Sequence, residues 1–329
     1  MLASTESMDP RSPLDPSAAI QSSSSSLVCR CCGSENLTCR GEKRGRFIAR
    51  DFRFYVCEEC SFQFVEPVTD FTIYNDAYYA GKGPDPSVDY EQEFQNYAAT
   101  PRVFEFQDLF ALAKDHLRKL PQAAPETVAW LDFGCGAGGL LKYARDHAGD
   151  LVGRDRRIRL VGHDVGSYAG RLRAEGFEVL DQEELKSAGS EFDIVSCIEV
   201  LEHLPSPRAV IELLARLLKP SGLLLLTTGN MHCPLAKLQG LQFSYCVPEI
   251  HVSLSNPGLL AALYRQAGLK PVYMKYHGVI RFRILKSLTH GTARRLSALA
   301  HFPFIIRLAD LAYGTSAMPC AIKPRNGID

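Results

Sequence analysis

A run of glycines between an apolar segment and a helical segment has the composition of a nucleotide-binding turn. Gly134, Gly136 and Gly138 follow the apolar run Val128–Phe133, which predicts a strand. Glycines at this point let the backbone approach a nucleoside-like ligand closely at the carboxyl edge of a parallel sheet. The same letters satisfy the GxGxxG pattern through Gly139, so a dinucleotide-binding fold is the competing interpretation.

Acidic side chains around this turn favour one interpretation over the other. Asp132 stands two residues before the first glycine, where a carboxylate can meet the cationic amino group of a methionine moiety but would repel a pyrophosphate. Asp164 ends the second predicted strand and can accept hydrogen bonds from both ribose hydroxyls, each worth about 1.5–3 kcal/mol. Asp181 follows the third strand, where it could face an adenine amino group, and we assign Glu199, after the fourth strand, to the same site. The set predicts binding of S-adenosylmethionine.

Candidate groups for proton transfer follow the fourth predicted strand and recur further along the chain. Methyl transfer from a sulfonium is an in-line displacement, so a protein must mainly position the acceptor and remove its proton. His203 and His251 can act as bases, since histidine has an ordinary pKa near 6.5. Glu202 is the third candidate, and the spacing of Glu199, Glu202 and His203 predicts one helical face. The alternative role of His203 is to order the loop or the cofactor.

Six of the eleven cysteines lie between residues 29 and 60 and form two CxxC knuckles. Two such knuckles supply the four thiolates of a closed tetrahedral zinc site. A segment this short cannot build an adequate core alone, and zinc binding contributes roughly 10–16 kcal/mol in small zinc peptides. We therefore predict a structural zinc held by Cys29, Cys32, Cys57 and Cys60. Cys31 and Cys39 are surplus, and the alternative is a metal-free set of buried thiols.

The elements that must position these groups alternate from Thr127 onward. Strand-like apolar runs are separated by helical stretches, which is typical of an α/β fold with a parallel sheet. Predicted strands are Val128–Phe133, Leu160–Asp164, Glu178–Leu180, Phe192–Ile198, Gly222–Thr228, Pro271–Tyr276 and Met318–Lys323.

These motifs together resemble a known family. Asp132–Gly138, Asp164 and the stretch from Phe192 to Leu204 resemble the seven-stranded class I S-adenosylmethionine-dependent methyltransferases. The resemblance implies a Rossmann-like, doubly wound, mostly parallel sheet with an antiparallel last strand, here Met318–Lys323. The cysteine module and the Tyr-Tyr pair near Tyr78 resemble a subgroup with a zinc ribbon ahead of this domain. We expect four regions: a disordered tail (1–26), a zinc ribbon (27–66), a linker and helical cap (67–126), and a methyltransferase domain (127–329) with a helical insertion at about 277–315.

The string from Glu199 to His203 has a second resemblance. It is similar to the metal-binding ExxEH of ubiquinone-pathway O-methyltransferases and small-RNA 2′-O-methyltransferases, with His251 as a fourth ligand. Many relatives carry a similar string without a metal, and the neighbours of His251 lack the aromatic and acidic residues of those families. Catalytic Mg²⁺ is therefore the lesser expectation.

Composition limits the partners. The net charge is zero, so no overall charge favours nucleic acid or an anionic membrane. No apolar stretch reaches the roughly 20 residues of a spanning helix, and the clustered cysteines without a secretion signal suggest a cytoplasmic setting. The segment from Tyr276 to Ala309 lacks Asp and Glu. It is either a cap packed on the domain or a lid over an anionic or lipid-like acceptor.

The predicted function is methyl transfer to a small molecule, such as a sugar or polyketide, at oxygen. Two alternatives stay open. One is an RNA-modifying methyltransferase that uses a basic zinc ribbon, and the other is a non-catalytic regulator that binds the cofactor. The basic ribbon consists of Arg40, Lys43, Arg44, Arg46, Arg50 and Arg53.

Overall fold

The computed structural model describes residues 27–69, 71–75, 77–83, 89–120, 126–153, 156–273, 303–313 and 319–325. The predicted tail (1–26) and most of the expected insertion (277–302 and 314–315) lie outside the described residues. None of the helices in the described ranges is long and apolar enough to cross a bilayer.

The described elements alternate as the sequence predicts. The strands are β1 (Leu37–Arg44), β2 (Asp51–Cys57), β3 (Gln63–Glu66), β4 (Thr127–Phe133), β5 (Arg157–His163), β6 (Glu178–Leu180), β7 (Phe192–Ile198), β8 (Leu218–Thr227), β9 (Ser253–Leu254), β10 (Lys270–Tyr273) and β11 (Pro319–Ile322). The α-helices are α1 (Tyr90–Asn96), α2 (Val103–Lys119), α3 (Gly139–Asp146), α4 (Ala148–Val152), α5 (Tyr168–Ala174), α6 (Gln182–Ser187), α7 (Pro207–Leu217), α8 (Pro234–Gln239), α9 (Pro257–Gln266) and α10 (Pro303–Tyr313). Shorter helical turns cover Phe71–Ile73, Tyr78–Lys82, Tyr97–Ala99, Leu201–His203 and Gly240–Gln242.

Seven strands form the main sheet, in the order β10-β11-β8-β7-β4-β5-β6. Neighbours from β8 through β6 are parallel, whereas β11 is antiparallel to β8 and to β10. This arrangement confirms the expected α/β fold class and its antiparallel last strand. The direction of winding reverses between β4 and β7, and in such sheets ligands bind at the carboxyl ends of the strands beside that reversal.

The core has two apolar layers, one on each face of the main sheet. Side chains of β4 alternate between them, because Val128 and Trp130 pack with α2 and α3, whereas Leu131 and Phe133 pack with α7 and α9. Alternation of this kind is what the period of two along a strand requires. The position of β4 is thus fixed from both faces, and with it the turn that follows.

The boundary between α7 and β8 differs from the prediction. The sequence predicts a strand from Gly222, but the strand begins at Leu218, which pairs with Phe192. Helix α7 ends at Leu217, and Pro220 could not continue it, because proline lacks an N–H and clashes with the preceding turn. The residues around it belong to the irregular start of β8, where the register with β7 shifts.

A second sheet contains the N-terminal strands and one strand from the far part of the chain. Its order is β1-β2-β3-β9, and all three pairings are antiparallel. Phe62 and Phe64 belong to the same buried cluster as Leu201 and Leu204 of the main domain. The cysteine-rich segment therefore shares a core with the main domain.

Candidate active site

The glycine turn lies directly after β4. Gly134, Gly136 and Gly138 all have positive φ, at 74°, 52° and 76°, a region that side chains with a Cβ rarely adopt. The N–H groups of Gly134 and Cys135 both donate to the carbonyl of His163, at 2.7 and 3.0 Å. The end of β5 thereby holds the turn, and Gly138 leads into α3.

Asp132 is buried at the end of β4. Its exposed fraction is 4%, and the Ser196 hydroxyl donates to its Oδ1 at 2.6 Å. Burial raises the pKa of Asp132 to about 7. A buried acid with a raised pKa favours a cationic partner, because such a partner stabilises the charged form.

Asp164 holds the backbone of two loops. Its Oδ2 accepts from the Gly136 N–H at 2.9 Å, and its Oδ1 accepts from the Gly166 N–H at 2.7 Å. A carboxylate offers about four lone-pair sites, so these bonds leave acceptor capacity for ribose hydroxyls. The contact with ribose stays a prediction.

The two remaining cofactor candidates have distinct local roles. Asp181 is the N-cap of α6, where it accepts from the Glu184 N–H at 2.8 Å. Glu199 follows β7 with a φ of 53°, and its N–H donates to the Thr227 carbonyl at 3.0 Å. Contacts of either side chain with the cofactor stay predictions.

Glu202, His203 and His251 come together beside the turn. One candidate ligand atom from each lies within 4.8 Å of the other two. The prediction that Glu199 shares a helical face with Glu202 and His203 is wrong, because Glu199 has left-handed backbone and the helical turn covers only Leu201–His203. The loop following β7 and the segment preceding β9 bring the cluster together.

A backbone carbonyl lies against Nδ1 of each imidazole. The Nδ1 atom of His203 lies 2.9 Å from the Ile250 carbonyl, and that of His251 lies 2.6 Å from the Tyr245 carbonyl. A carbonyl oxygen can only accept, so Nδ1 of His251 carries a hydrogen, and the basic nitrogen of that ring in the neutral state is Nε2. Nδ1 of His203 also lies 2.8 Å from the Tyr74 hydroxyl, which can donate or accept.

Glu202 is a weaker candidate for the base than either histidine. It is 1% exposed, and burial, followed by the charge of Glu199, raises its pKa to about 8. Its Oε2 accepts from the Thr228 hydroxyl at 2.8 Å, and its backbone carbonyl accepts from the Val252 N–H at 2.8 Å. These contacts suit a residue that orders the site.

Tyr74 is a site residue that the sequence did not single out. Its hydroxyl lies 2.8 Å from Nδ1 of His203, and its ring meets those of His203 and Tyr78 edge to face. Tyr78, Tyr79, Tyr90 and Tyr168 continue this aromatic group. The only signal in the sequence was the density of tyrosines, since the partners lie far apart along the chain.

The four predicted zinc ligands are brought together. Their Sγ atoms all lie within 4.8 Å of one another, with 3.6 Å between Cys29 and Cys60 and 3.5 Å between Cys32 and Cys57. Tetrahedral Zn–S bonds of about 2.3 Å place sulfurs about 3.8 Å apart. The residues therefore fit a structural zinc.

Three of the six basic side chains in the ribbon make ion pairs or hydrogen bonds within the protein. Arg44 pairs with Asp51 and Arg53 pairs with Glu42, at 3.1 and 2.6 Å. Lys43 donates to two backbone carbonyls. These contacts reduce the charge that the ribbon could offer to nucleic acid.

Comparisons with known proteins match the middle part of the chain. A family model described as a methyltransferase domain matches residues 106–273. The chain is 34% identical over 158 residues to a ubiquinone biosynthesis O-methyltransferase of Bordetella avium, covering 44% of this chain and 63% of that protein. It is 30% identical over 181 residues to the protein of that name from Thiobacillus denitrificans, covering 50% and 75%. Among solved structures, phosphoethanolamine N-methyltransferase 2 of Haemonchus contortus with S-adenosyl-L-methionine matches with a TM-score of 0.46 at 16% identity, covering 83% of this chain and 64% of that one.

Proposed function

The chain belongs to the class I S-adenosylmethionine-dependent methyltransferase family, and on this premise we propose that it methylates a hydroxyl group of a small-molecule acceptor. The observation that carries the proposal is the juxtaposition of two half-sites. Because β4 and β7 pair in parallel, with Phe133 beside Cys197, the glycine turn and the histidine cluster emerge next to each other. One half suits a cofactor and the other suits an acceptor.

In the cofactor half, each predicted residue has a chemical role. S-adenosylmethionine, when bound, supplies an electrophilic methyl group on a sulfonium. We propose that Asp132 accepts from its ammonium group and that Asp164 accepts from the ribose hydroxyls. The positive φ of Gly134, Gly136 and Gly138 keeps side chains out of the turn, and Asp181 and Glu199 complete the site at the neighbouring strand ends.

In the acceptor half, an imidazole removes the proton. Nε2 of His251 or His203 takes the proton from the acceptor hydroxyl as the new C–O bond forms and the C–S bond breaks. S-adenosylhomocysteine and a protonated imidazole result, and the proton then passes to water. Glu202 orders this half through its contacts with Thr228 and Val252.

The chemistry of Glu202, His203 and His251 also bears on whether this cluster binds a catalytic metal. Two imidazoles and one carboxylate suit a transition metal better than Mg²⁺, which prefers oxygen ligands. Glu199 would have to complete the ExxEH set, but it is not among the clustered ligand atoms. We therefore assign proton transfer to the imidazoles alone.

The relatives named O-methyltransferases support an oxygen acceptor, and the tyrosine rings against the histidines support a small metabolite over RNA. A zinc held by Cys29, Cys32, Cys57 and Cys60 belongs to the same proposal. So does a reducing, cytoplasmic setting, because thiolate ligands must stay reduced.

The test is a search for the acceptor. The protein is incubated with a host metabolite extract and S-adenosylmethionine labelled on its methyl group, and labelled products are identified by mass spectrometry. We expect a labelled metabolite that disappears with the variant His251→Gln. Label found only in RNA would support the alternative substrate, and cofactor binding without any label transfer would support the regulator.

A further inference from the structure

The segment that carries His251 is held by the turn between β1 and β2. Glu249, two residues earlier, is 1% exposed. Its Oε1 accepts from the backbone N–H groups of both Arg46 and Phe47. Two amides from one turn thus bind one buried carboxylate across 203 and 202 residues of sequence.

Four further contacts join the cysteine-rich module (residues 27–66) to the same segment. Lys43 donates from Nζ to the carbonyls of Leu241 and Cys246, at 3.1 and 2.6 Å. Arg30 donates from Nη2 to the carbonyl of Val252 at 2.8 Å. Strand β9, which begins at Ser253, pairs with β3. The module therefore contacts the segment on both sides of His251.

The opposite side of this segment forms the acceptor half of the site. The Ile250 carbonyl lies 2.9 Å from Nδ1 of His203, and the Val252 N–H donates to the carbonyl of Glu202. The Tyr245 carbonyl sets the tautomer of His251. A single layer of backbone therefore separates the cysteine-rich module from the imidazoles.

We propose that the cysteine-rich module forms the outer wall of the acceptor half-site. In this proposal Glu249 is a positioning residue that keeps His251 in its Nδ1–H tautomer. The inference rests on the proposed function. It also separates the two halves of the site, since the turn at Gly134–Gly138 is held by β5 and Asp164. Loss of the two hydrogen bonds to the Glu249 carboxylate should disorder the acceptor half and leave cofactor binding intact.

The experiment compares Glu249→Ala, Glu249→Gln and the control Glu42→Gln in the full zinc-loaded chain. Glu42 offers a matched change in the same module, because its exposed carboxylate pairs only on the surface with Arg53. Nitrogen shifts of ¹⁵N-labelled histidine report the tautomer of His251, assigned with His251→Gln. Hydrogen exchange reports the Val252 amide, and calorimetry measures affinity for S-adenosylhomocysteine.

We expect Glu249→Ala to abolish the ¹⁵N signature of the Nδ1–H tautomer at His251 and to speed hydrogen exchange of the Val252 amide at least tenfold. Its affinity for S-adenosylhomocysteine should stay within twofold of that of the unaltered protein. Glu249→Gln should restore the signature, because an amide oxygen still accepts from both N–H groups. Should Glu249→Ala fail to fold, Lys43→Met removes a separate contact and should produce the same loss in smaller measure.

An unchanged His251 signature in Glu249→Ala, or in Lys43→Met where that variant replaces it, would overturn the proposal. An equal change in Glu42→Gln would also do so. None of these measurements needs an acceptor, so the absence of turnover would count against the proposed function alone.

Discussion

The charge state of Asp132 gives a pH dependence that can be worked out in advance. In the free protein its pKa is raised to about 7, so near neutrality about half of the molecules carry a protonated carboxyl. An ammonium group binds well only to the charged form. Affinity for S-adenosylhomocysteine, which has the same amino group, should therefore rise with pH through this range.

The size of the effect follows from the pKa. If only the carboxylate form binds, the apparent dissociation constant is multiplied by 1 + 10^(pKa − pH), which makes binding on the order of tenfold weaker at pH 6 than at pH 8. The variant Asp132→Asn cannot ionise. It should bind weaker at pH 8 by the worth of one charged hydrogen bond, about 1.5–3 kcal/mol, and should lose the slope.

Calorimetry with S-adenosylhomocysteine at pH 6, 7 and 8 measures both quantities. Asp193→Asn is the matched control, because Asp193 is a buried carboxylate near the start of β7 that accepts from Lys219 and the Ala129 N–H. It should keep the slope of the unaltered protein. A flat profile in the unaltered protein, or an unchanged slope in Asp132→Asn, would refute the assignment of Asp132 to the ammonium group.

Three other predictions test separate parts of the molecule. Gly136→Arg should abolish S-adenosylhomocysteine binding, since the residue has positive φ and a Cβ there would lie 2.9 Å from the Tyr90 ring. The control is Gly189→Arg, because a Cβ at Gly189 would lie in open space. This control should bind S-adenosylhomocysteine normally, and equal affinities of the two variants would contradict the proposed site. Elemental analysis should find one zinc per chain, lost in the double variant Cys57→Ser, Cys60→Ser. Zinc retained by that variant would show that the ligands are wrong. Neutralising the basic segment outside the described residues should raise KM for an anionic acceptor at low salt and less at high salt, whereas an unchanged KM would favour a packed cap. The change is Arg281, Arg283, Arg294 and Arg295 to Gln.

The fold and the cofactor half follow from patterns that are local in the sequence. Strands Glu178–Leu180 and Phe192–Ile198 have the bounds that their apolar runs predict. The glycine turn is equally visible in the sequence, because its three glycines directly follow the apolar run of β4 and take the positive φ that glycine allows. Errors arose where a pairing decided the structure, as at Leu218, which joins the sheet through Phe192.

The acceptor half could not be predicted in the same way, since contacts across long separations build it. Tyr74 meets His203 across 129 residues, and Glu249 meets Arg46 across 203. The spacing of Glu199, Glu202 and His203 suggested a helix, but Glu199 turned into left-handed backbone where the chain leaves β7. Periodicity describes one element at a time and holds no information on which elements meet.

This contrast bears on where acceptor specificity is encoded. The candidate residues of the cofactor half lie at or directly after the carboxyl ends of strands in the main sheet, so they can stay constant while the acceptor changes. The histidines are instead oriented by backbone carbonyls at Tyr245 and Ile250, whose positions depend on the cysteine-rich module and on Tyr74. A change of acceptor is therefore expected to arise from substitutions in residues 41–50 and 71–79. Exchanging those segments between related chains, with the glycine turn untouched, should transfer acceptor preference without altering affinity for S-adenosylhomocysteine.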